Sequence, residues 1–302
     1  MEKTTKLNNG LIIPSIGSGS NENTTEEIIY QSIKTGTRLI DTASAYKNET
    51  EVGKGIKKAL EEKIVKREDL FIITKFAFEE KEDPETALNN SLKRLQLDYV
   101  DLFLDHWPCC KNYNDLNKYK IVPIKETWTK MEKLVTEGKT KSIGVSNYNV
   151  QNLISVLSIC TIKPVVNEVE FHPYLYQKDL KHFCDKENIK IIAYNPLVKG
   201  PYCKRSDDII KKKKLDLFNE DIVIKELVKK YNRTLGQIIL NWHAHLGVIP
   251  IPGTSNPNRM KENLNSIEFI MDEDDYNKLC CFEDKQYRFR DSLPLFGIDI
   301  FA

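Results

Sequence analysis

The sequence lacks an excess of charge of either sign. Across 302 residues, 45 Lys and Arg face 44 Asp and Glu, a net charge of +1. No field of that size gathers nucleic acid or an anionic membrane, and neither is expected as a partner. The chain also lacks any apolar run of the roughly 18 residues needed to cross a bilayer. Its opening, MEKTTKLNNG, has no apolar stretch of the signal-peptide kind. Cysteine is sparse and unpatterned: the adjacent pairs Cys109-Cys110 and Cys280-Cys281, with Cys160, Cys184 and Cys203 isolated. These spacings match neither a zinc site nor a secreted disulfide framework, so reduced thiols, a cytoplasmic address and no bound metal are expected. No Gly- or Ser-rich linker divides the chain and no solenoid period recurs, so residues 1–302 read as one domain.

What the sequence does contain is alternation. Short β-branched or aromatic runs take turns with longer segments of helical period, the pattern of repeated βα units. Candidate strands are Ser15–Gly19, Arg38–Thr42, Leu70–Lys75, Tyr99–His106, Lys141–Val145, Pro164–Glu170, Lys190–Tyr194 and Val248–Ile251. Helical patterns occupy Thr25–Lys34, Asn48–Glu62, Pro84–Leu95, Ile124–Glu137, Val150–Ile159, Gln177–Glu187, Asp221–Tyr231 and Gln237–His245. Runs such as FIITK and IKIIAY are apolar on both faces, as in a parallel sheet covered inside and out. Eight strands, each with a helix, predict an α/β fold, a single closed (β/α)8 TIM barrel. Gly36, Gly138 and Gly247 stand where helix C-termini need positive φ, and Thr24 with Glu27 suggests a capping box. LNNGLIIP suggests an N-terminal hairpin within about residues 1–14, with a type I′ turn at Asn-Gly. The tail, about 285–302, has no helical period. The run Lys211–Lys214 reads as a solvated face, with a phosphate contact as the alternative.

In such a barrel the site forms at the C-terminal ends of the strands. There the sequence places Asp41 with Tyr46 in the following turn, then Lys75, then His106. Singly, each has a bland reading: a packed tyrosine, a structural Asp–Lys pair, a satisfied histidine. Asp105, one residue before His106, points to the other side of its strand and is expected to be structural.

The stretch GTRLIDTASAYKNETEVG (Gly36–Gly53) resembles the first signature of the aldo-keto reductase family, save Thr37 where an aromatic is usual. Further matching blocks follow in order: FIITKF, DLFLDHWP, IGVSNY, NEVEFHPYL, AYNPL and IPGTSNPNRMKEN. The resemblance implies a (β/α)8 barrel that reduces an aldehyde or ketone with a nicotinamide cofactor and no metal. Such chemistry needs a proton donor at the carbonyl oxygen and a polar pocket for the developing alkoxide. Tyr46 is the candidate acid. An adjacent ammonium, Lys75, would lower its pKa, Asp41 would hold Lys75 in place, and His106 would orient the carbonyl oxygen.

The resemblance also implies the cofactor contacts. Ser146, Asn147 and Glu168 inherit the carboxamide site, Tyr194 stacks on the ring, and Thr254, Ser255, Arg259, Glu262 and Asn263 surround the adenosine end. NADPH is expected, with NADH an alternative, because Gly253 stands where many members carry a lysine against the 2′-phosphate while Arg259 remains. Glu168 departs from the usual glutamine. Ionised, it would stabilise the oxidised nicotinamide ring; turned away or held neutral by burial, it would not. Asn21 and Ala77 replace tryptophans common in the substrate pocket, while Trp107 is kept. A wider or more polar pocket follows, unless the Asn112–Ile121 loop or the tail Arg288–Phe301 folds in. The leading expectation is a monomeric carbonyl reductase acting on a small aldehyde or ketone. A cofactor-sensing regulatory subunit with little turnover is the competing class, and a phosphate-binding barrel of another kind explains only the strand count.

Overall fold

A hairpin of β1 (Thr4–Lys6) and β2 (Ile12–Pro14) opens the chain, pairing Thr4 with Pro14 and Lys6 with Ile12. Its turn is not type I′. Only Gly10 takes positive φ, at 90°, while Leu7 and Leu11 pair across it and Gly10 N donates to Leu7 O at 3.0 Å. That is a three-residue loop with glycine in the left-handed position. The computed structural model describes residues 1–109, 122–198, 218, 221–282, 287–290, 292, 296–297 and 299–301. The Asn112–Ile121 loop and Lys211–Lys214 lie outside the described residues.

Eight parallel strands follow: β3 (Ser18–Gly19), β4 (Leu39–Asp41), β5 (Phe71–Phe76), β6 (Leu102–Asp105), β7 (Ile143–Ser146), β8 (Val166–Glu170), β9 (Lys190–Tyr194) and β10 (Ile249–Pro250). They lie side by side in chain order. Gly17 N donates to Pro250 O at 3.0 Å, so the first strand's approach meets the last and the sheet closes. The close approach depends on glycine, since a Cβ on Gly19 would sit 2.7 Å from Ile251 O. The fold is therefore the (β/α)8 barrel that the alternation implied, and every expected strand overlaps an observed one, two of which run one residue further, to Phe76 and Ser146.

Helices α1 (Glu26–Thr35), α2 (Glu49–Glu61), α3 (Pro84–Leu95), α4 (Ile124–Thr136), α5 (Val150–Leu157), α6 (Lys178–Lys186), α7 (Ile222–Tyr231) and α8 (Leu235–His245) ring the barrel. Gly36, Gly138 and Gly247 follow α1, α4 and α8 with φ of 118°, 73° and 68°. The α1 cap falls one residue later than expected. Thr25 accepts from Ile28 N, while Thr24 Oγ1 accepts from Asn21 N and shapes the preceding loop. Two further helices, α9 (Pro257–Leu264) and α10 (Glu273–Cys280), were not apparent from periodicity. Each buries only a few residues, Met260 in α9 and Asp275, Tyr276 and Leu279 in α10.

The core has two layers. Leu39, Phe71, Ile73, Leu102, Leu104, Val166, Ile192 and Ile249 fill the barrel, and Leu7 and Ile13 of the hairpin plug its lower end. Fully burying such a side chain contributes about 1.5–3 kcal/mol. Outside, residues such as Ile40, Ile72, Phe103, Val145 and Ile191 meet the helices. With the bottom plugged, polar residues at the upper strand ends face the remaining opening. Among the described residues no helix is long and apolar enough to cross a membrane.

Candidate active site

The upper opening is a cavity of about 450 Å³. Its floor includes Asp41, Tyr46 and His106, and its walls include Asn21, Trp107 and Tyr194 with Gly19, Glu22, Asn195, Leu197, Gly253 and Arg290. β4 delivers Asp41 and β5 delivers Lys75 side by side. Lys75 Nζ donates to Asp41 Oδ1 at 2.5 Å and to Thr42 O at 3.1 Å. A second carboxylate, Glu168 on β8, approaches the same ammonium at 3.2 Å. Tyr46 is placed by a single 3₁₀ turn, Ser44–Tyr46, directly after β4. Its ring lies 5.2 Å from Lys75 Nζ and 5.6 Å, edge to face, from His106.

Burial sets the electrostatics of this group. Lys75 is 0% exposed, Asp41 2%, Glu168 1% and His106 8%. Desolvation lowers an ammonium's pKa, but Asp41 and Glu168 outweigh it and hold Lys75 protonated. Burial also pushes the Tyr46 phenol up to about 12, with Lys75 opposing and Asp41 and Glu168 adding to the rise. The expected depression by Lys75 is thus present as an influence and is outweighed by desolvation. His106 is held well below its ordinary value, first by burial and then by Lys75, and is neutral. A neutral imidazole donates one hydrogen bond without adding charge.

Glu168 faces inward. Burial and the Asp41 charge raise its pKa to about 8, and Oε2 has no partner among the described residues. Burial and Asp41 thus favour its neutral form, while Lys75, 3.2 Å from Oε1, favours the charged one. Ser146 Oγ donates to Glu168 O at 2.8 Å, Asn147 Nδ2 reaches Ser146 Oγ at 3.1 Å and His106 O at 3.0 Å, and Tyr194 OH donates to Asn147 Oδ1 at 2.8 Å. The residues expected at the carboxamide therefore form one linked ledge beside the cavity.

The adenosine-end candidates sit past β10. Thr254, Ser255, Arg259, Glu262 and Asn263 follow Gly253 on the loop and α9 and do not form the cavity wall. Asn256 caps that helix, accepting from Asn258 N and Arg259 N. Arg259 and Ser255 are exposed, while Thr254, Glu262 and Asn263 are half-buried. Ala77 does not reach the wall; it opens a 3₁₀ turn where its N–H donates to Glu80 Oε2 at 2.8 Å.

The tail packs behind the tryptophan that is kept. Phe296 meets Trp107 edge-on at 5.1 Å, and Phe301 lies 6.3 Å from the same indole. Phe296 is itself buried, so the tail backs the Trp107 wall without lining the cavity through that ring. Glu170, at the top of β8 and 0% exposed, anchors that tail by accepting from Phe289 N and Arg290 N, both at 2.9 Å. Asp105 behaves as expected, accepting from Lys81 and from Tyr148 OH at 2.8 Å on the helix side of β6.

A nicotinamide cofactor fits this site on structural grounds. Buried polar atoms without partners cost free energy unless a ligand meets them, and Glu168 Oε2 and His106 Nδ1 are such atoms beside the cavity. Gly253 leaves the wall open as well, since a Cβ there would lie 3.0 Å from Gly19 O.

Comparison with known proteins agrees. The profile described as the Aldo/keto reductase family matches residues 9–281. The chain is 37% identical to the NADH-dependent D-xylose reductase of Candida parapsilosis over 98% of its length and 97% of the relative's. It is 39% identical to the glyoxal reductase of Bacillus subtilis, covering 92% of each chain. It is also 39% identical to aldose reductase C of Dictyostelium discoideum, over 91% of this chain and 87% of the other. With a whole-barrel match joined to a strand-end site of this composition, the chain belongs to the aldo/keto reductase family of oxidoreductases.

Proposed function

We propose that the protein reduces small aldehydes and ketones to alcohols, with Tyr46 as the proton donor. The observation that carries the reading is the floor of the cavity, where Tyr46 and His106 face the opening above a buried Asp41–Lys75 pair. A reduced nicotinamide, when bound, would supply the hydride that the carbonyl carbon accepts. Tyr46 gives its proton to the carbonyl oxygen, and the fixed ammonium of Lys75 stabilises the phenolate left behind. Asp41 positions Lys75, and neutral His106 donates to the same oxygen. Ser146, Asn147, Glu168 and Tyr194 hold the nicotinamide end; Thr254, Ser255, Arg259, Glu262 and Asn263 hold the adenosine end.

NADPH is the preferred cofactor in this reading, and NADH is also accepted. Arg259, exposed in the first turn of α9, supports it as a guanidinium suited to a phosphate. The Candida relative's name specifies NADH, so the preference is decided by rates with the two cofactors. The protein acts as a cytoplasmic monomer; its five described cysteines are free, as reduced thiols would be. The test is oxidation of NADPH, and separately NADH, over a panel of aldehydes, with Tyr46→Phe alongside. Tyr46→Phe is expected to lose about 10²–10⁴-fold in kcat, the range of general acid catalysis, while cofactor affinity is kept. A Tyr46→Phe enzyme with wild-type turnover would refute the assignment, and tight cofactor binding without turnover in the wild type would favour a sensor role.

A further inference from the structure

We propose that the cavity selects carbonyl substrates carrying an anionic group, a carboxylate or phosphate, and that Arg290 is the residue that reads it. The inference rests on the reading of Tyr46 and His106 as the reacting end of the cavity.

Arg290 lines the same cavity as Tyr46, His106 and Trp107, and its side chain is exposed there. Its position is fixed from behind. The N–H groups of Phe289 and Arg290 both donate to Glu170 Oε2 at 2.9 Å, and Glu170 Oε1 accepts from Asn195 Nδ2 at 2.8 Å. A carboxylate buried at 0% exposure and satisfied on both oxygens is a firm mooring. The tail therefore enters the wall at a set point and presents a guanidinium to the opening.

The neighbouring arginine shows the contrast. Arg288 is engaged: Nη2 donates to Gln177 Oε1 at 3.1 Å, and its guanidinium lies 3.8 Å from the Phe301 ring. Among the described residues, no carboxylate lies within ion-pair distance of the Arg290 guanidinium, and its side chain makes no hydrogen bond. Of the other charges around the opening, Lys75 is held by Asp41 and Glu168 at the floor, and Glu22 lines the same cavity without an ion pair to Arg290. Among the described residues Arg290 is thus the cation of the wall with donors to spare, and Trp107, packed from behind by Phe296, gives an aromatic face in the same wall. A substrate with its carbonyl at Tyr46, its body along Trp107 and a carboxylate or phosphate at its far end meets all three. Guanidinium matches either anion with paired, charge-assisted bonds.

The test pairs 4-carboxybenzaldehyde with its neutral methyl ester, methyl 4-formylbenzoate, in wild type, Arg290→Gln and Arg290→Lys. Wild type is expected to favour the carboxylate in kcat/KM. Arg290→Gln lowers that preference by roughly tenfold to a hundredfold, the worth of a hydrogen bond to a charged group, chiefly through KM, and Arg290→Lys restores part of it. Binding is read without turnover by the quenching of tryptophan fluorescence with benzoate against benzamide in the cofactor-loaded protein. If neither aldehyde is reduced but benzoate binds better than benzamide and Arg290→Gln abolishes the difference, the catalytic reading fails and the anion site stands. Loss of NADPH affinity in Arg290→Gln with an unmoved carboxylate-to-ester ratio would assign Arg290 to the cofactor's phosphates and overturn the proposal. A wild-type preference for the ester would overturn it as well.

Discussion

Two buried lysines, six residues apart, teach different lessons. Lys75 on β5 and Lys81 just beyond it are 0% and 3% exposed, and each meets an aspartate on a neighbouring strand: Asp41 on β4 and Asp105 on β6. By composition the clusters are alike. Lys81, Asp105 and Tyr148 form a buried set that does not line the cavity, with Lys81 and the Tyr148 phenol both on Asp105 Oδ2, and with Oδ1 lacking a partner among the described residues. Lys75 instead faces two carboxylates, Asp41 and Glu168, and lies beneath a cavity that exposes Tyr46 and His106. A buried ion pair is by itself weak evidence for either stability or function. What separates these two is the surplus carboxylate and access to an opening.

Substitutions in the cluster away from the cavity sharpen the comparison most. Asp105→Ala removes the partner of a buried ammonium and is expected to cost about 3–5 kcal/mol, the range for breaking a buried pair, read as a fall in the urea midpoint. Tyr148→Phe deletes one donor to Asp105 and is expected to cost about 1.5–3 kcal/mol, as for hydrogen bonds to charged groups, by the same measurement. The smallest effect is expected in the open cluster. Glu168 titrates near 8 in the folded protein and at an ordinary carboxylate value when unfolded. Between those values the folded state holds a proton that the unfolded state has released, so this residue's contribution to stability falls as pH rises from about 4.5 to about 8. Glu168→Gln abolishes that loss. Its melting temperature should exceed that of wild type by more at pH 8.5 than at pH 5; a difference independent of pH would mean that Glu168 is ionised throughout.

The barrel was legible because parallel strands covered on both faces leave continuous apolar runs, such as Phe71–Lys75 and Lys190–Tyr194, between helical periods. The meeting of Asp41, Tyr46, Lys75 and His106 at one opening was legible because each stands at or just past a strand end, where such a barrel forms its site. The inward turn of Glu168 was hidden, since it depends on Lys75 and Asp41 meeting it from other strands. Arg290, Phe296 and Phe301 were hidden as well. The tail has no period, and its path is set by Glu170, more than a hundred residues earlier. α9 and α10 bury too few apolar residues to show a face, although Asn256-Pro257 and the acidic stretch Glu273–Asp275 mark their starts. The hairpin turn departs from type I′ because Asn-Gly fits two loops, and here only Gly10 takes the left-handed conformation.

The most direct test of the account exchanges each lysine for methionine and measures both kcat and the urea midpoint. Lys75→Met is expected to lose at least about a hundredfold in kcat, as when a preorganised charge is removed from beside a developing one. Lys81→Met is expected to lower the midpoint while the folded enzyme keeps its turnover. Equal losses of turnover in the two variants would contradict the claim that only the lysine beneath the cavity takes part in the chemistry.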